Sequence, residues 1–178
     1  MHIFLTGAVG CGKSTVIRRS LALLGQPCLG GFRTITTASE IPGALGEVYI
    51  IRADDAGQVR TRGNLVGIRW GNGRGTAFPC GFEQGGCAAL AAPPPDAALL
   101  LMDELGVMES AAARFCAAVR ARLDGSLPIL GVVKPKQTPL LDAVRAHPRV
   151  RLLAVEETNR DALPALVAQA LAPVLRRD

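Results

Sequence analysis

The sequence predicts an α/β domain in which helices cover both faces of a mostly parallel sheet. Apolar strand-like segments alternate with amphipathic helical segments, which is the pattern typical of such sheets. Residues 97–102 and 128–133 are continuous apolar runs, as expected for strands buried on both faces. Residues 2–6 form a further apolar strand that leads through a glycine-rich turn into a helix. A length of 178 residues suits a single domain, residues 1–178. Because 49% of the residues are hydrophobic but only 4% are aromatic, we expect aliphatic side chains to fill its core.

Element boundaries follow from helical periodicity and from glycine and proline signals. The first helix is predicted over residues 13–24 and ends at Gly25-Gln26-Pro27. A later helix is expected to be capped by Ser110 and to stop at Asp124-Gly125. The remaining predicted elements are strands at 97–102, 128–133 and 150–155, a short helix near 138–146 and a last helix from about Asp161.

Residues 28–82 differ from the rest and are predicted to form a β-rich insertion, or lid, at one end of the sheet. Asp54-Asp55-Ala56-Gly57 signals a turn, and residues 59–62 are expected to pair back as a hairpin strand. The glycine-rich residues 71–75 are predicted to be another turn or a mobile loop.

The net charge and the cysteine pattern limit which classes of partner and which cellular compartment we expect for this protein. The net charge of +5 suits phosphate ligands, but the arginines are scattered without interleaved aromatic residues, so nucleic acid is not expected as a partner. The five cysteines form no Cys-x-x-Cys pair, which favours a reducing cytoplasm over a disulfide framework. Cys80 and Cys87 could supply half a zinc site, but two histidines are poor material for the other half. With no signal peptide and no apolar run near 18 residues, a membrane is not expected as a partner either.

The strongest motif is a phosphate-binding loop, Gly7-Ala8-Val9-Gly10-Cys11-Gly12-Lys13-Ser14-Thr15, which fits the Walker A pattern G-x-x-x-x-G-K-S/T. A loop that wraps phosphates must turn tightly and point backbone N–H groups inward, which glycine permits. The following helix adds the positive end of its dipole. We expect Lys13 to contact the β- and γ-phosphates, the Ser14 hydroxyl to ligate Mg²⁺, and Thr15 to support the loop.

Cys11 lies inside this loop and allows two interpretations. It can be a small residue whose backbone N–H is all that matters. Alternatively, it can be a reactive thiol at a helix N-terminus, whose modification would block entry of the phosphates.

A second motif pairs two acids at the end of an apolar strand. Leu99-Leu100-Leu101-Met102-Asp103-Glu104 resembles a Walker B segment, and a parallel strand delivers such side chains to the sheet edge where the phosphate loop lies. Asp103 is predicted to hold the Mg²⁺ shell, and Glu104 to orient and polarise an attacking water. The glutamate favours hydrolysis, because a kinase must exclude water from the γ-phosphate.

Other polar residues have competing interpretations. An arginine finger could come from Arg33, Arg69, Arg74 or Arg160, although a surface role is an alternative for each. Arg160 has the best claim because it follows a strand end, but it and Asn159 could instead contact the base or build the cap of the last helix. Glu109 could support the metal site or act as a first-turn helix acid, and Lys134 could sense the γ-phosphate or be a solvated lysine. Since the guanine signature Asn-Lys-x-Asp is absent, weak base selectivity is expected.

Several motifs together resemble one family, the thermophile-type, cancer-related nucleoside-triphosphatases, or THEP-type. These are residues 7–15, Gly31-Phe32-Arg33-Thr34, residues 103–110 with Phe115, and Thr158-Asn159-Arg160-Asp161. The resemblance covers nearly the whole chain, and Asp-Glu-x-Gly-x-Met-Glu is its most specific element. Residues 63–87 depart from the family pattern.

The resemblance implies a RecA-like P-loop fold and slow hydrolysis of several nucleoside triphosphates to diphosphate and phosphate. It also implies that residues 7–14 and Asp103, Glu104, Leu105 and Gly106 border the nucleotide. We therefore expect Mg²⁺-dependent hydrolysis with Lys13, Glu104 and Arg160 as catalytic residues. The alternatives are a P-loop kinase for a small molecule or nucleoside, and a nucleotide-gated binding module.

Overall fold

Eight strands form one continuous sheet in the computed structural model, which describes residues 1–71 and 73–175. In chain order the strands are β1 His2–Thr6, β2 Leu29–Thr37, β3 Ala44–Arg52, β4 Leu65–Trp70, β5 Gly75–Ala77, β6 Leu99–Leu105, β7 Ile129–Val133 and β8 Val150–Ala154. Their order across the sheet is β5-β4-β3-β2-β6-β7-β1-β8. The pairs β2–β6, β6–β7, β7–β1 and β1–β8 are parallel, whereas the pairs β2–β3, β3–β4 and β4–β5 are antiparallel. The predicted mostly parallel sheet is thus confirmed.

Helices cover both faces of this sheet, as predicted. They are α1 Lys13–Leu23, α2 Pro79–Gly81, α3 Cys87–Ala91, α4 Ala113–Asp124, α5 Pro139–Ala146 and α6 Leu163–Leu175. A π-helical turn, Phe82–Gly86, joins α2 to α3, and a 3-10 turn, Met108–Ala111, precedes α4. Within the described ranges, no helix combines the length and the apolar character that crossing a lipid bilayer requires.

The continuous apolar strands divide their side chains between two separate cores. In β6, Leu99 and Leu101 point to the core formed with α1 and α6, whereas Leu100 and Met102 point to the core formed with α3, α4 and α5. All four side chains are at most 3% exposed. Burial of one such aliphatic side chain contributes about 1.5–3 kcal/mol, so both faces fix the position of this strand.

The prediction that Ser110 caps the helix after β6 is wrong. The Ser110 hydroxyl donates to the Val107 carbonyl at 2.8 Å within the 3-10 turn, and α4 begins only at Ala113. The backbone N–H of Arg114, in the first turn of α4, donates instead to the Glu83 carboxylate at 2.9 Å. The cap therefore comes from a residue 31 positions away, which local sequence spacing does not indicate.

The β-rich stretch contains strands as predicted, but its organisation differs. Strand β2 pairs in parallel with β6 and belongs to the main sheet, and only β3, β4 and β5 extend it as an antiparallel meander. Residues 59–62 do not form the returning strand of the predicted hairpin, since β4 fills that position. The Asp55 carboxylate accepts from the N–H groups of Gly57 and Val59, which holds residues 55–59 in a turn.

Two further segments, residues 71–75 and 79–91, lie on either side of β5. Residues 79–91 are helical, and Phe82 in this segment packs against Phe115 with ring centroids 5.2 Å apart, a tertiary contact without a local sequence signal. The predicted turn at residues 71–75 joins β4 to β5, and the Trp70 N–H donates to the Arg74 carbonyl at 2.9 Å. Asn72, which belongs to that predicted turn, lies outside the described residues.

Candidate active site

The carboxyl ends of four adjacent parallel strands bring the predicted site residues together. The phosphate loop follows β1, Lys134 follows β7, the Asp103–Glu104 pair ends β6, and Arg33 lies on β2. The strand order β2-β6-β7-β1 makes these strand ends consecutive along one edge. Open parallel sheets bind ligands at this edge, so the topology supports the site that the motifs predict.

The phosphate loop has a backbone that two of its glycines make possible. Gly7 and Gly12 have φ angles of 144° and 107°, which L side chains rarely adopt. A Cβ at Gly7 would also lie 2.6 Å from the Val155 carbonyl oxygen. Helix α1 starts directly after Gly12, with Ser14 and Thr15 exposed in its first turn. The first N–H groups of a helix have no intrahelical partner, so this geometry suits an anion.

The Lys13 ammonium lies within this loop. Its Nζ donates to the Gly7 carbonyl at 2.9 Å and to the Ala8 carbonyl at 2.6 Å, and the Cys11 sulfur is 3.8 Å away. Lys13 is only 9% exposed, so its charge is held where water screens it weakly. Ala8, Val9 and Gly10 are exposed at the outside of the loop.

Asp103 lies in register with Arg33 on the neighbouring strand β2. Burial, and then the Glu104 charge, raise the pKa of Asp103 to about 6, while Arg33 and Lys13 oppose the shift. Both cations therefore act electrostatically on this carboxyl group. Arg33 itself donates through Nη2 to the Ala53 carbonyl, and its buried Nε has no hydrogen-bond partner.

A β-bulge contains the two acids. Pairing between β6 and β7 passes from Met102 opposite Gly131 to Leu105 opposite Val133, so β6 uses one residue more than β7. The Asp103–Glu104 peptide bond, which lies in this bulge, is cis.

Glu104 reaches across the bulge to the β7 side of the sheet. Its Oε1 lies 2.5 Å from the Lys134 Nζ, and both side chains are partly exposed, Lys134 by 38% and Glu104 by 28%. The sequence predicts for Lys134 either a contact with the γ-phosphate or a solvated position, and it does not predict the ion pair with Glu104. Its position directly after a buried parallel strand was the signal that could have paired it with the acids.

Glu109 is buried below this edge and supports the turn after β6. It is 3% exposed, and its Oε1 accepts from the Gly106 N–H. Burial raises the pKa of Glu109, whereas its bonds to backbone N–H groups and the Lys134 charge oppose the rise. Leu105 is fully buried, so only its backbone could border a nucleotide.

Arg160 and Asn159 lie on the opposite flank of the phosphate loop, after the edge strand β8. The Arg160 side chain is close to Gly12, and with Thr15 and Asp161 it lines a pocket of about 220 Å³. Both polar groups of the Asn159 side chain bind the backbone of the segment at and after the end of β8. Oδ1 accepts from the Glu156 N–H at 2.9 Å, and Nδ2 donates to the Ala154 carbonyl at 3.0 Å. The Asn159 carbonyl also accepts from the N–H groups of Ala162 and Leu163 at the start of α6, which favours the capping alternative for Asn159 over contact with the base.

The remaining arginine-finger candidates lie far along the sheet. Arg69 is on β4 and Arg74 directly precedes β5, and β4 is separated from β6 by β3 and β2. Three strand spacings of about 4.8 Å place β4 roughly 14 Å from β6. These two arginines are therefore not gathered with the acids.

Comparison with known proteins adds a family match. The model of the family described as NTPase matches residues 2–168. Nucleoside-triphosphatase THEP1 of Methanosarcina barkeri (strain Fusaro / DSM 804) is 30% identical, and the alignment covers 94% of this chain and 95% of that protein. The cancer-related nucleoside-triphosphatase homolog of Bos taurus is 28% identical, with 93% and 94% covered.

Two solved structures share the fold. The crystal structure of THEP1 from the hyperthermophile Aquifex aeolicus has a TM-score of 0.73 and 21% identity, and the match covers 96% of this chain and 99% of that chain. The solution structure of a human cancer-related nucleoside triphosphatase has a TM-score of 0.66 and 24% identity, with 99% of each chain covered. At this identity the two structures support the architecture of the chain.

Proposed function

Because this chain belongs to the NTPase family, we propose that it hydrolyses nucleoside triphosphates to diphosphate and phosphate, slowly, with Mg²⁺ and with little base selectivity. The family match also confirms the resemblance inferred from the motifs. One observation carries the proposal: the phosphate loop and the Asp103–Glu104 pair occur on strands separated only by β7, at the same edge of the sheet.

In the proposed reaction, a water oxygen forms a bond to the γ-phosphorus while the bond from phosphorus to the β,γ-bridging oxygen breaks. Glu104 orients this water and accepts its proton, and the bridging oxygen leaves on the diphosphate. Lys13 and the loop N–H groups hold the β- and γ-phosphates and offset the charge that develops on their oxygens.

The residues fit Mg²⁺. Mg²⁺ prefers hard oxygen ligands and commonly uses one or two protein oxygens together with phosphate oxygens and water. The Ser14 hydroxyl and the Asp103 carboxylate are such oxygens. Among residues 1–71 and 73–175, no cluster of three or more His, Cys, Asp or Glu side chains could hold a metal ion, so the phosphates would complete the site. Bound Mg²⁺ would stabilise negative charge on the phosphate oxygens.

The residues on the two flanks of the site support the proposal of slow turnover and weak base selectivity. Arg33, the arginine next to Asp103, is already bound to the Ala53 carbonyl. Arg160 lies on the flank away from Glu104, which suits contact with the nucleoside or α-phosphate better than with the γ-phosphate. A guanidinium can stack on any base, so this contact would discriminate little among bases.

The proposal also places the protein in the cytoplasm. All five cysteines are free thiols, which suits a reducing cytoplasm. No nucleic-acid partner is proposed, since the charge pattern gives no reason for one.

Phosphate release from ATP, GTP, CTP and UTP, each with and without Mg²⁺, tests the proposal. We expect release from all four with Mg²⁺, rates within about tenfold of one another, and loss of release when the metal is chelated. A kinase would release very little phosphate, and on addition of an acceptor it would form diphosphate and a phosphorylated acceptor; that result would refute the proposal.

A further inference from the structure

Lys134 is the one charged side chain in the described part of the chain that makes an ion pair with the proposed water-orienting glutamate, and the proposed reaction assigns it no role. We propose that Lys134 is a positioning residue that couples the γ-phosphate to Glu104. In the proposed cycle, the ammonium group leaves Glu104 for the γ-phosphate, and Glu104 is then free to hold the attacking water. This inference rests on the proposed hydrolysis at the same site.

The topology gives Lys134 access to both partners. Strand β7 lies between β6, which carries Glu104, and β1, which leads into the phosphate loop. Lys134 directly follows β7, so its side chain starts between the acid and the loop. No strand intervenes on either side.

The backbone of Lys134 is fixed, although its side chain is partly exposed. The Lys134 N–H donates to the Leu105 carbonyl at 2.9 Å, and the Lys134 carbonyl accepts from the Lys136 N–H at 2.8 Å and from Arg145. Arg145 also donates to the Lys136 carbonyl at 2.7 Å. A change in position would therefore involve the flexible side chain and leave the loop unchanged.

The charges favour such an exchange. A carboxylate that is bound to an ammonium group 2.5 Å away is a poorer proton acceptor and has one oxygen occupied. The γ-phosphate of a bound triphosphate carries more negative charge than one carboxylate and offers several acceptor oxygens. A diphosphate lacks this group, so Lys134 would remain on Glu104 and would add nothing to its affinity.

Gly106 leaves room for the side chain of Lys134 beside the bulge. A Cβ at position 106 would lie 3.0 Å from the Lys134 Cδ. The Gly106 N–H is in turn bound by the buried Glu109. The turn after β6 thus presents a surface along which the Lys134 stem lies.

The test compares Lys134→Met with Lys136→Met, a matched control on an exposed lysine two residues away. Affinities for ADP and for the non-hydrolysable analogue AMP-PNP are measured by calorimetry with Mg²⁺, and kcat and KM are measured by phosphate release. For Lys134→Met we expect the preference for AMP-PNP over ADP to fall about tenfold, with ADP affinity within about twofold of the unmodified protein. We expect kcat to fall about 10–100-fold, because the γ-phosphate loses a positive charge that offsets the charge developing on its oxygens. Lys136→Met should change none of these quantities by more than about twofold.

Two further variants show whether Lys134 acts through Glu104. Glu104→Gln alone should raise the AMP-PNP preference, because the ammonium group no longer has to leave a carboxylate, and adding Lys134→Met should remove that rise. Lys134→Arg keeps the positive charge and should restore at least half of the lost preference. Thermal unfolding of each variant identifies any that fails to fold.

The inference is overturned if Lys134→Met behaves like Lys136→Met, or if Lys134→Met raises kcat. Its failure can be told apart from failure of the proposed function. If the unmodified protein released no phosphate, hydrolysis would be refuted, while the AMP-PNP to ADP preference would still decide whether Lys134 contacts the γ-phosphate.

Discussion

The parallel region of the sheet and its antiparallel meander use their polar residues differently. In the parallel region, strands β1, β7 and β6 end at one edge, and β2 passes this edge at Arg33. The charged residues at this edge are Lys13, Lys134, Glu104, Asp103 and Arg33. In the meander of β3, β4 and β5, polar side chains such as Asp55 and Trp70 bind within their own turns and hairpins. The carboxyl ends of parallel strands all lie at the same edge of the sheet, whereas those of antiparallel strands alternate between the two edges. Convergence of charge in this protein is thus a property of strand direction.

The largest expected effect concerns the loop after β1. Lys13→Ala removes the ammonium group that the loop carbonyls hold, so we expect loss of measurable nucleotide binding and of phosphate release. Calorimetric titration with ATP and Mg²⁺ measures this. Arg69→Ala, in the meander, provides the control and should bind normally. Unimpaired binding by Lys13→Ala would remove the loop from the site.

The next effect separates binding from chemistry at the same edge. Glu104→Gln keeps the shape of the side chain but removes its ability to accept a proton. We expect nucleotide affinity to be retained and kcat to fall by at least about 10². Steady-state phosphate release alongside calorimetry measures both quantities. If turnover remained near normal, Glu104 would have no part in the reaction.

A substitution at the opposite edge of the parallel region, where the strands begin, should change the free energy of unfolding and leave the rate of hydrolysis unchanged. His2 begins β1, is fully buried and bonds through Nε2 to the Leu123 carbonyl at 2.8 Å. Burial, opposed by this bond and assisted by nearby positive charges, lowers the pKa of His2 from 6.5 to about 4. Between these values the unfolded chain binds the proton and the folded chain does not, so stability is lost as pH falls below about 6.5.

His2→Gln should therefore abolish one component of acid sensitivity. We expect the unmodified protein to lose about 2 kcal/mol of unfolding free energy from this group between pH 7.5 and pH 5, and the variant to lack that loss. Urea unfolding at several pH values measures it. His147→Gln serves as the control and should keep the pH dependence that comes from His2. An unchanged slope in His2→Gln would contradict the assignment.

The smallest effect compares one arginine from each region. Arg33 lies in register with Asp103 and opposes the rise in the pKa of Asp103 that burial causes, whereas Arg69 is exposed on β4. We expect Arg33→Ala to reduce kcat about tenfold and Arg69→Ala to change it less than about twofold. Parallel kinetic assays with the same nucleotide decide this. Equal effects of the two substitutions would show that position in the sheet does not separate their roles.

The sequence by itself determined the α/β architecture, the phosphate loop and the strand that carries the two acids. These features depend on short local patterns: glycine spacing in residues 7–12, continuous apolar runs, and helical periodicity. The family also follows from local motifs, which the match over residues 2–168 confirms.

The tertiary structure alone decided which distant residues meet. The pairing of Lys134 with Glu104, the register of Arg33 with Asp103 and the cap that Glu83 provides for α4 join segments 30 to 70 residues apart. Such contacts depend on strand order and on a β-bulge, which leave no periodic signal in the chain. Local patterns fix what each segment forms, whereas packing of the segments fixes which charges become neighbours.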